Sequence, residues 1–203
     1  TDDWGELYSL AHNDPKRIFE VYSSYYLSTS GQIYWSDTHQ LGTYVDDYHK
    51  AVDQNAGSDW PGSEMITEVY VPRPALGLFL DALAADFRRY VVKVIYGTIR
   101  LIEKDDESFL PWARESYACI VINLHVSHSP QGIAKAANDF RRIIDRAIEQ
   151  GGSYFLTYHR WASRQQLDVC YPQMSRFLEL KRQYDPTEVF QSDWYRHYRR
   201  MFA

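Results

Sequence analysis

Arg100 is the residue on which any chemistry in this chain converges. It lies in an alternating run, Val91 to Ile102, where Ile95, Ile99 and Leu101 point one way and Tyr96, Thr98 and Arg100 the other. A guanidinium among hydrogen-bonding side chains can hold a substrate anion or hydroxyl, or stabilise charge that develops on a nearby partner. Two more runs carry the same alternation. From Tyr117 to Ser127, Ile120, Ile122, Leu124 and Val126 oppose Asn123 and His125; from Glu64 to Val71, Val69 and Val71 oppose Glu68 and Tyr70. A fourth run, Gly151 to Arg160, turns on two glycines and delivers Tyr158 or His159 to a strand end, where a rigid scaffold meets an open loop. One sheet face is therefore expected to be apolar and covered by helices. The other collects Glu68, Tyr70, Tyr96, Thr98, Arg100, Asn123 and His125. Its many tyrosines and few Lys and Glu fit a cleft wall covered by something else; the alternative is a wet sheet or an oligomer contact.

The elements that must position these residues follow from periodicity. Strands at Glu64–Val71, Val91–Ile102 and Tyr117–Ser127 and the last one after Gly151-Gly152 are separated by helical patterns at Pro74 to about Arg89 and Pro130 to about Gln150. The order β-α-β-β-α-β predicts an α+β fold with a ferredoxin-like antiparallel sheet, both helices on one face, and helical appendages at each end. Residues 1–62 read as an N-terminal helical and linker segment, 63–160 as the ferredoxin-like domain and 161–203 as a C-terminal helical segment. In the first of these, a short helix is expected at Asp3 to Ala11. Asp14-Pro15 should then cap a helix running to about Leu27, with Ile18, Val21, Tyr22, Tyr25 and Tyr26 as a buried stripe. A short strand at Gln32–Ser36 and a helix through Leu41, Tyr44, Val45, Tyr48 and Val52 follow, ending in a loop over 55–63. In the last segment, Pro172 should split Ser163–Lys181 into two helical pieces. Val189-Phe190 should plug an apolar site and the aromatic tail Trp194-Tyr195 should dock.

Composition sets the outer bounds. Hydrophobic residues at 45% and charged residues at 24% suit an ordinary soluble globular protein, and no apolar run approaches the roughly 18 residues of a membrane span. A net charge of -5 disfavours nucleic acid as a partner. The basic run Arg196-His197-Tyr198-Arg199-Arg200 reads as a solvated or intersubunit tail. Two cysteines, Cys119 in an apolar strand and Cys170, point to a reducing, cytoplasmic compartment rather than a disulfide scaffold. Seventeen Tyr and six Trp fit a cleft or interface. His125-Val126-Ser127-His128 lacks a third ligand at useful spacing, so no metal site is expected. Neither a nucleophile elbow nor a phosphate-cradling glycine motif occurs. The run Asp105-Asp106-Glu107 reads as a solvated loop. The chain opens at Thr1, as expected of a piece of something longer.

Gly151-Gly152-Ser153-Tyr154-Phe155-Leu156-Thr157-Tyr158, Tyr171-Pro172, Asp185-Pro186 and Phe190-Gln191-Ser192-Asp193 resemble the C-terminal part of FAD-linked oxidases of the vanillyl-alcohol oxidase superfamily, nearest in pattern to alditol and aldonolactone oxidases and decaprenylphosphoryl-ribose oxidase. Thr98-Ile99-Arg100 with Asp105-Asp106, Pro111 and Arg114 resembles the alditol oxidase stretch E-I-R, D-D, P and R. The resemblance covers about Glu64 to Tyr198. It implies a substrate or cap domain whose polar sheet face meets a flavin held by an N-terminal FAD-binding domain, with the C-terminal helices returning to that domain. It implies hydride transfer from a hydroxyl-bearing carbon of a sugar, polyol, lactone or hydroxy acid. Arg100 falls on the cation aimed at substrate and flavin, and Asn123 and His125 lie on the neighbouring strand where relatives place further substrate-contacting groups; Tyr158 or His159 is the candidate base, and Glu68, Tyr96 and Thr98 are substrate-binding candidates from their place on the polar face. Arg100 and Tyr158 would also touch the cofactor. Tyr158 stands where relatives carry a lysine and Thr98 where they carry the glutamate of E-I-R, so an alditol substrate is disfavoured. Alone, the chain should bind little FAD and catalyse nothing. The competing reading is a non-catalytic ferredoxin-like ligand-binding or regulatory module.

Overall fold

The structure, a computed structural model, describes residues 7, 9–11, 13–33, 50, 53, 54 and 59–203. The chain divides into two compact units, residues 1–65, 93–96 and 123–133, and residues 66–92, 97–122 and 134–203.

In the first unit, α1 (Pro15–Ser28) begins where proline at the first helical position demands. The Asp14 carboxylate accepts the Arg17 N–H at 3.1 Å. Residues 7, 9–11 and 13 are also helical, which is as much of the Asp3–Ala11 helix as falls within the description. The expected stripe is not buried. Val21, Tyr22, Tyr25 and Tyr26 are exposed and Ile18 is half-buried. Periodicity tells which residues share a face and not what covers it. The strand expected at 32–36 and the helix expected at 41–52 lie almost wholly outside the described residues.

The β-α-β-β-α-β series is present. It runs β1 (Gly62–Pro72), a 3-10 turn (Arg73–Ala75), α2 (Leu76–Tyr90), β2 (Val94–Ile102), β3 (Tyr117–Ser127), α3 (Pro130–Glu149) and β4 (Ser153–Tyr154). The strands form one sheet in the order β2-β3-β1-β4, and the fold is α+β as expected. β2 starts three residues later than its pattern because Val91 takes a left-handed cap, φ 50°, at the end of α2. The two helices lie side by side. Arg146 of α3 donates to both carboxylate oxygens of Asp86 of α2, at 2.7 and 3.1 Å, and Arg142 stacks 3.8 Å over the Tyr90 ring. Those hydrogen bonds hold the Asp86 carboxyl below the usual range despite its burial. Phe79, Leu83, Phe140, Ile143 and Ile144 are buried beneath, together with Val69, Val71 and Ile120 of the strands. Ile99 and Leu101, expected on the covered face, are exposed because β2 is an edge strand.

The opposite side of β1 and β3, expected to be a polar cleft wall covered by something else, is covered by residues of this chain. Tyr70, Tyr117, Cys119 and Val121 are buried there together with Ala113, and Ile66, Ile102, Trp112 and Phe155 pack against them. Trp112 meets Tyr70 edge-on at 5.6 Å. The segment between β2 and β3 does this covering. Its Asp105 N–H bonds the Ala113 carbonyl at 2.8 Å, and the Asp105 carboxylate accepts the N–H groups of Glu107 and Ser108. Asp106 and Glu107 of that loop are exposed as expected, Asp105 is half-buried, and the apolar end of the loop returns to the sheet.

β4 contributes two residues, not the run to Tyr158 that its aromatic and β-branched residues suggest. Tyr154 and Ser153 pair with Val69 and Tyr70, and the Phe155 N–H adds one bond to the Glu68 carbonyl at 2.9 Å. The chain then turns. His159 goes to the helix-covered side: it is buried, its Nε2 lies 3.2 Å from the Thr67 hydroxyl, its Nδ1 accepts the Trp161 N–H, and its ring packs 4.6 Å from Phe140.

Pro172 splits the C-terminal pattern into α4 (Arg164–Cys170) and α5 (Met174–Tyr184), and α6 (Asp193–Met201) ends the chain. The Ser163 and Gln166 side chains form a reciprocal capping box on α4. The aromatic tail docks on this same unit, with Tyr195 and Tyr198 buried and Trp194 Nε1 donating to the Leu156 carbonyl at 3.1 Å. Val189 and Phe190 plug nothing among the described residues. They stand exposed on a turn whose N–H groups the Asp185 carboxylate accepts at 2.8 and 3.0 Å.

The glycine pair does two different jobs. Gly151 has φ +75° and open space around it, whereas a Cβ on Gly152 would lie 2.0 Å from the Tyr70 carbonyl oxygen and 2.7 Å from that of Ala147. Gly152→Ala is therefore expected to cost about 3 kcal/mol or more in chemical denaturation, and Gly151→Ala about 1 kcal/mol. His159 supplies a second test. Burial pushes its pKa from 6.5 down to about 4. The unfolded chain then binds a proton that the folded chain refuses between these values, so stability falls as pH drops from about 6.5 towards 4. The full loss is about 3 kcal/mol, and His159→Phe should remove that slope from the pH dependence of the denaturation midpoint.

Candidate functional site

The second unit brings Glu68, Arg100 and Tyr158 together. Glu68 and Tyr70 are two residues apart on β1 and so share a face. The Tyr70 hydroxyl donates to Glu68 Oε1 at 2.5 Å. Both side chains are buried, Glu68 at 7% exposure. A buried carboxylate needs such a donor, since an unpaired one would lose several kcal/mol of hydration. Burial, then the Glu68 hydrogen bond, pushes the Tyr70 phenol far above its ordinary value.

Glu68 also acts on two neighbours. The Cys119 thiol of β3 is pushed up to about 12 by burial and then by the Glu68 charge, with Arg100 opposing. That thiol stays protonated and is no nucleophile. Tyr158 lies in the turn after β4, its ring 5.2 Å from Phe155. Burial raises the Tyr158 phenol first, the Glu68 charge raises it further, and the Arg100 charge counters them. Tyr158 is 43% exposed, and Arg100 and Thr98 are exposed on β2. Arg100 makes no hydrogen bond or ion pair with a described residue. The unit thus offers solvent a guanidinium and a phenol, with the buried Glu68 carboxylate close enough for its charge to be felt at Tyr158.

His159 does not join them, because the turn carries it to the Thr67 and Phe140 side. Arg114, the last residue of the E-I-R, D-D, P, R pattern, donates to the Gly152 carbonyl at 3.1 Å and to the Val169 carbonyl at 3.3 Å, so it braces the glycine turn.

Tyr96, Asn123 and His125 belong to the first unit. Tyr96 is exposed; Asn123 is buried with its Oδ1 lacking a hydrogen-bond partner among the described residues. His125 sits between two carboxylates, Nδ1 at 2.7 Å from Glu64 and Nε2 at 3.1 Å from Asp53. The Glu64 hydrogen bond raises its pKa against the pull of desolvation, with the Asp53 charge adding to it. That clamp fixes the imidazole to its own unit. Tyr70 and Trp112 are the contributors that sequence reasoning left off the site. A glutamate and a tyrosine at i and i+2 of one strand was the available signal for Tyr70; nothing local marks Trp112.

Among the described residues no group of three or more His, Cys, Asp or Glu could hold a metal ion, and no helix is long and apolar enough to cross a membrane.

A family model described as D-arabinono-1,4-lactone oxidase matches residues 71–198, which include Arg100, Cys119, Tyr158 and the glycine turn. No curated protein matches the chain. The matched span is well over half of the 203 residues. The chain belongs to the D-arabinono-1,4-lactone oxidase family, as the C-terminal domain of an FAD-linked oxidase.

Proposed function

We propose that this chain is the substrate-side portion of an FAD-dependent oxidoreductase that oxidises a hydroxyl-bearing carbon of a sugar, polyol, lactone or hydroxy acid, with a sugar lactone the first candidate from the family's description. The observation that carries the reading is the exposed Arg100 near Tyr158, both inside the matched span. An unpaired guanidinium next to a half-exposed phenol on an aromatic bed of Phe155 and Trp112 fits the polar edge of a flat, electron-accepting ring. Nothing in this chain provides the pyrophosphate cradle, so the residues fit the ring side of FAD, and an N-terminal FAD-binding domain would hold the rest.

When bound, the flavin supplies the hydride acceptor. The chain's own residues do the positioning. Arg100 would anchor a substrate oxygen and stabilise negative charge that develops as the carbon is oxidised. Thr98 lies two residues from Arg100 on the same strand face and can add a hydrogen bond. Tyr158 keeps its proton at neutral pH and so donates to the substrate hydroxyl in the resting site. The covered sheet behind it, with Trp112, Phe155 and Tyr70 packed, keeps water from the carboxylate side.

Arg100→Ala in the full-length flavin-loaded protein should slow anaerobic flavin bleaching by substrate about 10²- to 10³-fold. The substrate is first found by screening aldonolactones, polyols and 2-hydroxy acids for bleaching. Unchanged bleaching by the variant removes Arg100 from the site, and a full-length protein that binds no flavin overturns the reading.

A further inference from the structure

We propose that His125, Glu64 and Asp53 form a pH-operated clasp, in which the doubly protonated imidazole holds the helical residues at 53–54 to strands β1 and β3, and loss of one proton releases Asp53 while Glu64 stays bound. The clasp lies wholly in the first unit and is independent of the reaction proposed above.

Three separate stretches of chain meet at this imidazole. Glu64 lies near the start of β1, His125 near the end of β3, and Asp53 nine residues before Gly62. Nδ1 is hydrogen-bonded to Glu64 Oε1 at 2.7 Å, and Nε2 makes an ion pair with Asp53 Oδ1 at 3.1 Å. The side chains of His125 and Glu64 are 6% exposed and that of Asp53 13%, so salt and water screen little of the attraction. The backbone is shaped to fit them. The Gly62 N–H donates to Asp53 Oδ2 at 3.0 Å, and a Cβ on Gly62 would stand 2.6 Å from Nε2 and 2.7 Å from Asp53 Oδ1. Any larger residue there would push ring and carboxylate away.

An imidazole can face two carboxylates favourably only while both ring nitrogens carry hydrogen. The neutral ring has one N–H. It stays on Nδ1, because the shorter contact, to Glu64, is the directed hydrogen bond. Nε2 then turns a lone pair on Asp53 Oδ1, and an ion pair becomes a repulsive contact. Asp53 is left, among the described residues, with the Gly62 N–H. Among the described residues, the charged and titratable groups facing the imidazole are Glu64 on β1, Asp53 before it and Lys93 before β2. The Lys93 carbonyl accepts the backbone N–H of His125 at 3.3 Å, and the Lys93 charge opposes the two carboxylates. The Glu64 hydrogen bond prevails, so the imidazolium persists above the ordinary value of 6.5. The stability this gives is complete below about 6.5 and is lost as pH rises through the folded-state value. His159 behaves in the opposite sense, its contribution being lost as pH falls.

Two signals in the full-length protein read the clasp: the ring resonances of isotope-labelled His125, assigned through its own backbone, and the hydrogen-exchange protection of the Gly62 amide, corrected for the intrinsic pH dependence of exchange. In the parent, Gly62 protection should fall about tenfold or more as the His125 ring loses its proton above 6.5. Asp53→Asn supplies an amide that still accepts the Gly62 N–H and can donate to the neutral Nε2. It should raise the ionisation constant of His125 about threefold or more, because one of the two carboxylates is gone, and keep Gly62 protected across the titration. Gly62 protection that does not change while His125 titrates overturns the clasp, and so does a His125 ring that loses its proton at or below 6.5. These two results come from the parent protein and need no variant to fold. Loosening in Asp53→Asn equal to that of the parent overturns the release of Asp53 by the ring. Neither signal involves flavin or substrate, so the outcome stands apart from the oxidoreductase reading.

Discussion

Gly152 runs so close beneath the carbonyl of Tyr70 that no side chain fits between them, and the placement of the site follows from that contact. A Cβ there would stand 2.0 Å from the Tyr70 oxygen. The Gly152 N–H bonds the last turn of α3 through Ala147 O at 2.8 Å, while its carbonyl takes the Arg114 guanidinium at 3.1 Å. Three elements meet on one residue with no Cβ. Its neighbours Ser153 and Tyr154 are thereby laid against Tyr70 and Val69, and the turn that follows starts from a fixed register. From that start, Tyr158 packs on Phe155 at the sheet's rim and His159 meets the Thr67 hydroxyl on the other side.

The second consequence is electrostatic. A buried carboxylate needs a donor, and here the donor is Tyr70, two residues on along the same strand. The aromatic bed of Tyr70, Tyr117, Trp112 and Phe155 turns what alternation alone would read as a polar face into a small second core. At its rim Arg100 and Tyr158 remain accessible. The family match spans the rim and, of the bed, Tyr117, Trp112 and Phe155.

The sequence carried the order of elements well, because periods of two and 3.6 residues and the turn residues between them are local properties. The boundaries of β3, the break at Pro172 and the Asp14-Pro15 cap are local in the same sense. What was illegible depended on partners distant along the chain. That Gly152, and not Gly151, is the sterically fixed residue follows from a carbonyl on β1. The choice between Tyr158 and His159 needed to know that β4 stops at Tyr154, since alternation says nothing about a turn. His125 read as a free polar group until Glu64 and Asp53 closed on it. The connection at 103–116 read as solvent-facing from its charges, and its Trp112 and Ala113 covered the sheet. That Arg100 shares a face of β2 with Tyr96 and Thr98 was legible because alternation along a strand is local.

The central claim is that Arg100 stands beside the flavin ring and favours its electron-rich, reduced form. The most direct measurement is the two-electron midpoint potential of the full-length flavoprotein, compared between the parent and Arg100→Gln. A fixed positive charge at the ring edge should make the parent more oxidising by about 30 mV or more, the equivalent of about 1.4 kcal/mol. Equal potentials in the two proteins would place the guanidinium away from the ring and contradict the account.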